Sequence, residues 1–118
     1  MNLAELFRHE TNLKALPAGQ ALFKEGEQGD LMYILMSGAA EIIVHGKVME
    51  TAEAGALLGE MAMIEDSNRS ATVIAKSDCT LLPIERPRFN FMIQQTPNFA
   101  LHVMREIANR LRRTDVCL

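Results

Sequence analysis

Apolar residues fall in short runs through most of the chain and recur at helical spacing only near its end. Met32-Tyr33-Ile34-Leu35-Met36, Ala40-Glu41-Ile42-Ile43-Val44 and Lys47-Val48-Met49-Glu50 follow one another across Ser37-Gly38 and His45-Gly46. Runs of this length and type, bounded by glycine, predict three strands joined by two tight turns. Alternation assigns Ile42 and Val44 to one face of the middle strand and Glu41, Ile43 and His45 to the other. Ala71-Thr72-Val73-Ile74-Ala75 and Thr80-Leu81-Leu82-Pro83-Ile84 read as two further strands separated by Ser77-Asp78, with Pro83 suited to an edge or bulge. From Arg86 the period changes. Phe89, Met92 and Ile93 recur at helical spacing, Pro97 interrupts, and Phe99, Ala100, Val103, Met104, Ile107, Ala108 and Leu111 then form one apolar stripe. Thr96 and Pro97 suit a helix start, and Arg110, Arg112 and Arg113 suit a helix end. A short amphipathic helix over Leu3 to His9 opens the chain. With no βαβ alternation, this order predicts a mainly β protein of the α+β class, an antiparallel roll with helices packed at its end.

Composition narrows the function without naming it. A chain of 118 residues, 48% hydrophobic and 23% charged, buries roughly two-thirds of its unfolded surface and holds a core without metal or disulfide staples. Its net charge of −3 argues against a protein that coats nucleic acid, so any anion must be bound locally. Cys79 and Cys117 follow neither a metal-ligand spacing nor a secreted disulfide pattern, and the charged N-terminus lacks the apolar run of a signal peptide. A cytoplasmic protein without a membrane span is expected. His9, His45 and His102 lie on three different elements, no G-x-S-x-G elbow occurs, and neither cysteine has a recognisable histidine partner. Neither a metal nor a catalytic nucleophile is therefore expected, and the chain does not read as an enzyme. The run Gly26-Glu27-Gln28-Gly29-Asp30 has no lysine and reads as a turn rather than a P-loop.

One stretch breaks the strand pattern: Leu58 to Thr72, LGEMAMIEDSNRSAT. Gly59 lets the backbone approach a ligand closely. Glu60-Met61-Ala62-Met63 is long enough for one helical turn, whose first N–H groups favour negative charge. Arg69 follows Glu60 by nine residues, a loop long enough to fold back and aim planar paired donors at the same spot. Ser70 adds a hydroxyl and an N–H. Glu60 would repel a phosphate but accepts well from a sugar hydroxyl. Phosphate and ribose together indicate a nucleotide. Glu60 and Arg69 also allow a plainer reading, an internal ion pair in a domain that binds nothing.

This stretch resembles the phosphate-binding cassette of cyclic-nucleotide-binding domains, with its Gly-Glu, small and apolar residues, a loop, then Arg-Ser/Ala-Ala-Thr. Gly19, Phe23, Gly26, Asp30, Tyr33-Ile34 and Gly38 resemble the family's early strands, and Phe89, Pro97 and Arg110-Leu111 its closing helices, so that about residues 10 to 114 are covered. The resemblance implies an eight-stranded antiparallel β-roll (jelly roll), a single domain over 1–118 with a cassette at 58–72 and C-terminal helices at about 86–96 and 97–114. It implies cyclic AMP or cyclic GMP as ligand. Arg69 would pair with the cyclic phosphate and Glu60 would accept the ribose 2′-hydroxyl. Gly59, Met61, Ala62, Ser70 and Ala71 would supply close backbone or hydroxyl contacts. Arg110 is either a lid over the base or a solvated cation on a helix end. The chain departs from the pattern at Asn68, where many members have Pro, and at Leu58, where many have Phe.

Two classes of function follow. One is a sensor in which ligand binding repacks the C-terminal helices; the other is a protein-interaction module that keeps the roll without the nucleotide. The stripe on the last helix suits core packing, part of it also a homodimer. Since relatives pass the signal to an attached channel, kinase or helix-turn-helix, a chain ending at Leu118 would act in trans on an unknown protein target or be part of something larger.

Overall fold

A computed structural model describes residues 1–114. In chain order the elements are α1 (Leu3–Leu6), β1 (Lys14–Leu16), β2 (Ala21–Phe23), β3 (Leu31–Ser37), β4 (Ala40–Val44), β5 (Lys47–Ala52) and β6 (Leu57–Leu58). A 3-10 turn (Glu60–Met63) follows, then β7 (Thr72–Ala75), β8 (Cys79–Glu85), α2 (Arg86–Gln95) and α3 (Pro97–Thr114). The eight strands form two antiparallel four-stranded sheets, ordered β1-β8-β3-β6 and β2-β7-β4-β5. This is the expected β-roll closed by helices.

The burial of β3 shows how the layers stack. Met32, Tyr33, Ile34 and Leu35 are all buried, which an antiparallel strand shows only when both faces of its sheet are covered. Met32 and Ile34 join Leu57, Leu82 and Ile84 against Leu3, Phe89, Phe99 and Val103 of the three helices. Tyr33 and Leu35 point the other way, joining Leu58, Leu81 and Cys79 against Phe23, Ala40 and Val73 of the second sheet. The first sheet therefore lies between the helices and its partner sheet. Phe89 and Phe99 meet edge to face at 5.9 Å where α2 and α3 pack, a geometry that adds about 0.5–1.5 kcal/mol to area burial.

Several expectations change in detail. Ser37-Gly38 is not a turn between paired strands, because β3 pairs with β6 and β8 while β4 pairs with β5 and β7; the chain there passes from one sheet to the other. His45-Gly46 does close a hairpin, between β4 and β5, with both residues at positive φ (51° and 77°), the conformation that matches strand twist. The register between β4 and β5 shifts between Ile42 and Ile43, where Met49 of β5 is the extra residue, while β4 runs unbroken against β7. Pro83 lies in the second strand of its sheet, yet β1 stops opposite Leu81, so Pro83 is paired with Tyr33 alone and is locally an edge. The opening helix ends at Leu6 and not at His9; Asn2 caps it by accepting from the Glu5 N–H at 3.2 Å, and four residues are too few to propagate further. The apolar stripe of α3 divides: Phe99 and Val103 are buried, whereas Met104 and Leu111 are exposed. Cys79 is a buried free thiol, and Cys117 lies outside the described residues.

Candidate ligand-binding site

The irregular stretch leaves the first sheet at Leu58 and returns to the second at Thr72, so it spans the open end of the roll. Gly59 turns the chain with φ 74°, a left-handed conformation that other residues adopt only with strain. The four residues after it form a 3-10 turn, with Glu60, Ala62 and Met63 buried. One cleft of ≈ 80 Å³ is lined by Gly59, Glu60, Met61, Ala62, Arg69, Ser70, Ala71 and Arg110, every residue singled out from the sequence. Phe23, Ile42, Leu58 and Val73 supply its apolar wall.

The two arginines of the cleft are in opposite electrostatic situations. Arg110 reaches in from α3 and donates through Nη1 to Glu60 Oε1 at 2.8 Å and through Nε to Glu50 Oε1 at 3.1 Å, with Glu106 at 3.8 Å. Burial alone would lower its pKa, but Glu60 and Glu50 reverse this and hold it above its ordinary value. Arg110 therefore does not project over the cleft as a solvated cation; it is the ion partner of Glu60. The internal pair between Glu60 and Arg69 is not formed.

Arg69 is buried, and among the described residues no carboxylate lies within ion-pairing distance of it. Its Nη2 donates to the Leu31 carbonyl at 2.8 Å and its Nη1 to the Gly59 carbonyl at 3.4 Å, while Nε has no partner. Burial pushes its pKa down, opposed by the fields of Tyr33, Asp30, Glu27 and Glu60. Carbonyl dipoles orient such a cation but do not neutralise it, so the site retains a positive charge for which an anion is the natural complement.

The fold has counterparts. The family model described as cyclic nucleotide-binding domain matches residues 13–96. This chain belongs to that family. A cGMP-dependent protein kinase of Drosophila melanogaster is 34% identical over 80 residues, which is 68% of this chain and 7% of the kinase. The Pycsar effector protein XpPycTIR of Xanthomonas perforans is 32% identical over 110 residues, 92% of this chain and 36% of the effector. The catabolite activator protein of Thermus thermophilus superposes with a TM-score of 0.78 at 27% identity, covering 97% of this chain and 55% of that one. The chain thus spans less than two-thirds of each of these relatives.

This cyclic nucleotide-binding domain holds the stretch from 58 to 72 by contacts that its own sequence does not advertise. Gly26-Glu27-Gln28-Gly29-Asp30 is more than a turn: the Gly26 N–H donates to the Arg69 carbonyl at 2.8 Å, and the Arg69 N–H donates to the Glu27 carbonyl at 2.7 Å. The Phe23 ring centroid lies 4.0 Å from the Arg69 guanidinium carbon. Arg86, the first residue of α2, donates through Nη2 to the Ala62 carbonyl at 2.6 Å and contacts Asp66 at 3.3 Å. Glu50 accepts from Arg110 and forms an ion pair with Arg113 at 2.8 Å. Sequence reasoning missed Glu50 and Arg86 altogether, since no local pattern marks the partner of a charge 60 positions away. Among the described residues no cluster of His, Cys, Asp and Glu is arranged to hold a metal, and no helix is long and apolar enough to cross a membrane.

Proposed function

We propose that this domain binds a cyclic purine mononucleotide, cyclic AMP or cyclic GMP, and acts as a non-catalytic sensor. The observation that carries the reading is the buried Arg69 guanidinium, held by two carbonyls and, among the described residues, without a carboxylate in ion-pairing distance. A single phosphodiester charge complements it without the second charge of a linear nucleotide, which Glu60 and the neighbouring carboxylates would repel. Glu60 is assigned to the ribose 2′-hydroxyl, with Gly59, Met61, Ala62, Ser70 and Ala71 forming the close wall around the phosphate and sugar. The Drosophila and Xanthomonas relatives are named for cGMP dependence and for an effector role, in keeping with a regulatory module.

The route from site to signal runs through the terminal helices. Each is tied to the cassette by an arginine, α2 through Arg86 to Ala62 and Asp66 and α3 through Arg110 to Glu60. A ligand hydroxyl that shares or takes the Glu60 carboxylate changes the hold on α3. Binding then shifts the population between two packings of these helices.

Titration calorimetry with cyclic AMP, cyclic GMP and linear AMP tests the reading. The cyclic forms should bind and the linear form should not, and Arg69→Ala should weaken binding by about 2–5 kcal/mol. Because no carboxylate among the described residues pairs with Arg69, that variant should lose little stability without ligand. Binding of cyclic nucleotide undiminished by Arg69→Ala, or no binding by the wild type, would overturn the assignment and favour an interaction module.

A further inference from the structure

Arg69 donates through both Nη atoms to main-chain carbonyls, and those bonds alone let the guanidinium pivot about the line they define. Two further neighbours remove that freedom. The aromatic ring of Phe23 has its centroid 4.0 Å from the guanidinium carbon, within the range in which the negative face of the ring attracts a cation. Phe23 is itself held, buried at 8% exposure and stacked on Tyr33 at 6.4 Å. Gly29 packs so closely that a Cβ at this position would overlap Nε, Cζ and Nη2 of Arg69. Gly29 is absent from the residues of positive φ, so its backbone conformation would accept alanine, and what excludes a side chain there is Arg69.

We infer that Phe23 and Gly29 are positioning residues of the phosphate site, the ring by attracting the Arg69 guanidinium and the glycine by leaving room for it. The inference rests on the proposed role of Arg69 and adds what orients that cation before any anion arrives. Desolvation strengthens the ring contact: in a buried site where, among the described residues, no carboxylate reaches ion-pairing distance, the quadrupole of Phe23 adds to the two carbonyl dipoles and to the more distant fields of Asp30, Glu27 and Glu60. Phe23 also lines the apolar wall of the cleft, whereas Gly29 does not. Both act through Arg69, and preorganising a cation lowers the cost of ordering it on binding.

The test separates electrostatics from shape. Phe23 is replaced by 4-fluoro-, 3,5-difluoro- and 3,4,5-trifluorophenylalanine, which weaken the ring quadrupole stepwise at nearly constant volume, and cyclic AMP and cyclic GMP affinities are measured on the full chain. Affinity should fall stepwise along the series, with each variant still folded, as a cooperative melting transition without ligand shows. Phe23→Leu should weaken binding about 2- to 30-fold. Gly29→Ala should weaken it too, by displacing the guanidinium, and Gly29→Ala combined with Arg69→Ala should bind no worse than Arg69→Ala alone. If the wild type binds and Arg69→Ala does not, a flat fluorine series overturns the role of Phe23, and an unaltered affinity in Gly29→Ala overturns that of Gly29. If the wild type binds neither nucleotide, or Arg69→Ala binds as well as the wild type, this inference falls together with the reading of the site.

Discussion

At the scale of single residues, the cleft contrasts a neutralised charge with an uncompensated one. Arg110 and Arg69 are chemically identical and line the same cleft, yet their pKa values move in opposite directions, because carboxylates surround the first and carbonyls hold the second. Glu60 stands between these roles. It is committed to Arg110 at 2.8 Å, and it is the residue assigned to the sugar. Glu60→Gln separates the two jobs. Cyclic AMP should lose about 1.5–3 kcal/mol of binding, the worth of a hydrogen bond to a charged group, and the 2′-deoxy analogue should lose much less. An equal loss for both ligands by calorimetry would mean that Glu60 serves the site only by holding Arg110.

Among the elements, α3 carries the most specific attachment. Its N-terminal half packs through apolar side chains, Phe99 and Val103, against the first sheet, whereas its C-terminal half is held by ions, Arg110 to Glu60 and Glu50 and Arg113 to Glu50. Apolar packing tolerates small slides, but a buried charge network does not, since each carboxylate left behind loses its compensation. Arg110→Ala should therefore cost about 3 kcal/mol in urea unfolding, towards the lower end of the range for broken buried pairs because the site is partly exposed. Arg110→Lys should recover only part of it, because one ammonium lacks the planar fork that spans two carboxylates. A variant as stable as the wild type would show that Arg113 alone suffices to anchor the helix.

For the molecule as a whole, the same network predicts how stability responds to pH. Burial pushes the Glu106 carboxyl above its ordinary pKa, more than Arg110, the Leu57 N–H and His102 pull it down. The folded chain thus binds this proton more tightly than the unfolded chain does. The contribution of Glu106 is fully present below the ordinary carboxylate pKa of about 4.3 and is lost as pH rises through its raised native value. Glu106→Gln stays neutral and can still accept from the Leu57 N–H, which Glu106 does at 3.2 Å. It should melt with the wild type at about pH 3.5 and above it at neutral pH. A lower melting temperature than the wild type at neutral pH would show that the pairing with Arg110 outweighs the cost of burial.

What the chain alone determined is what neighbours in sequence decide. Strand alternation, the positive-φ turn at His45-Gly46, the helix start at Pro97 and the spacing from Gly59 to Arg69 each depend on residues a few positions apart, and each is legible in the pattern. The short strands β1, β2 and β6 were not, because two or three residues carry no period. Tertiary structure decided which sheet each strand joins, so that Ser37-Gly38 became a crossing between sheets. It also decided the partners of the charges: Arg69 finds Leu31 38 positions away, and Arg110 finds Glu60 50 positions away. A side chain's type states what it needs, a counter-charge or a donor, but only packing brings distant segments close enough to supply it or, at Arg69, to leave it unmet.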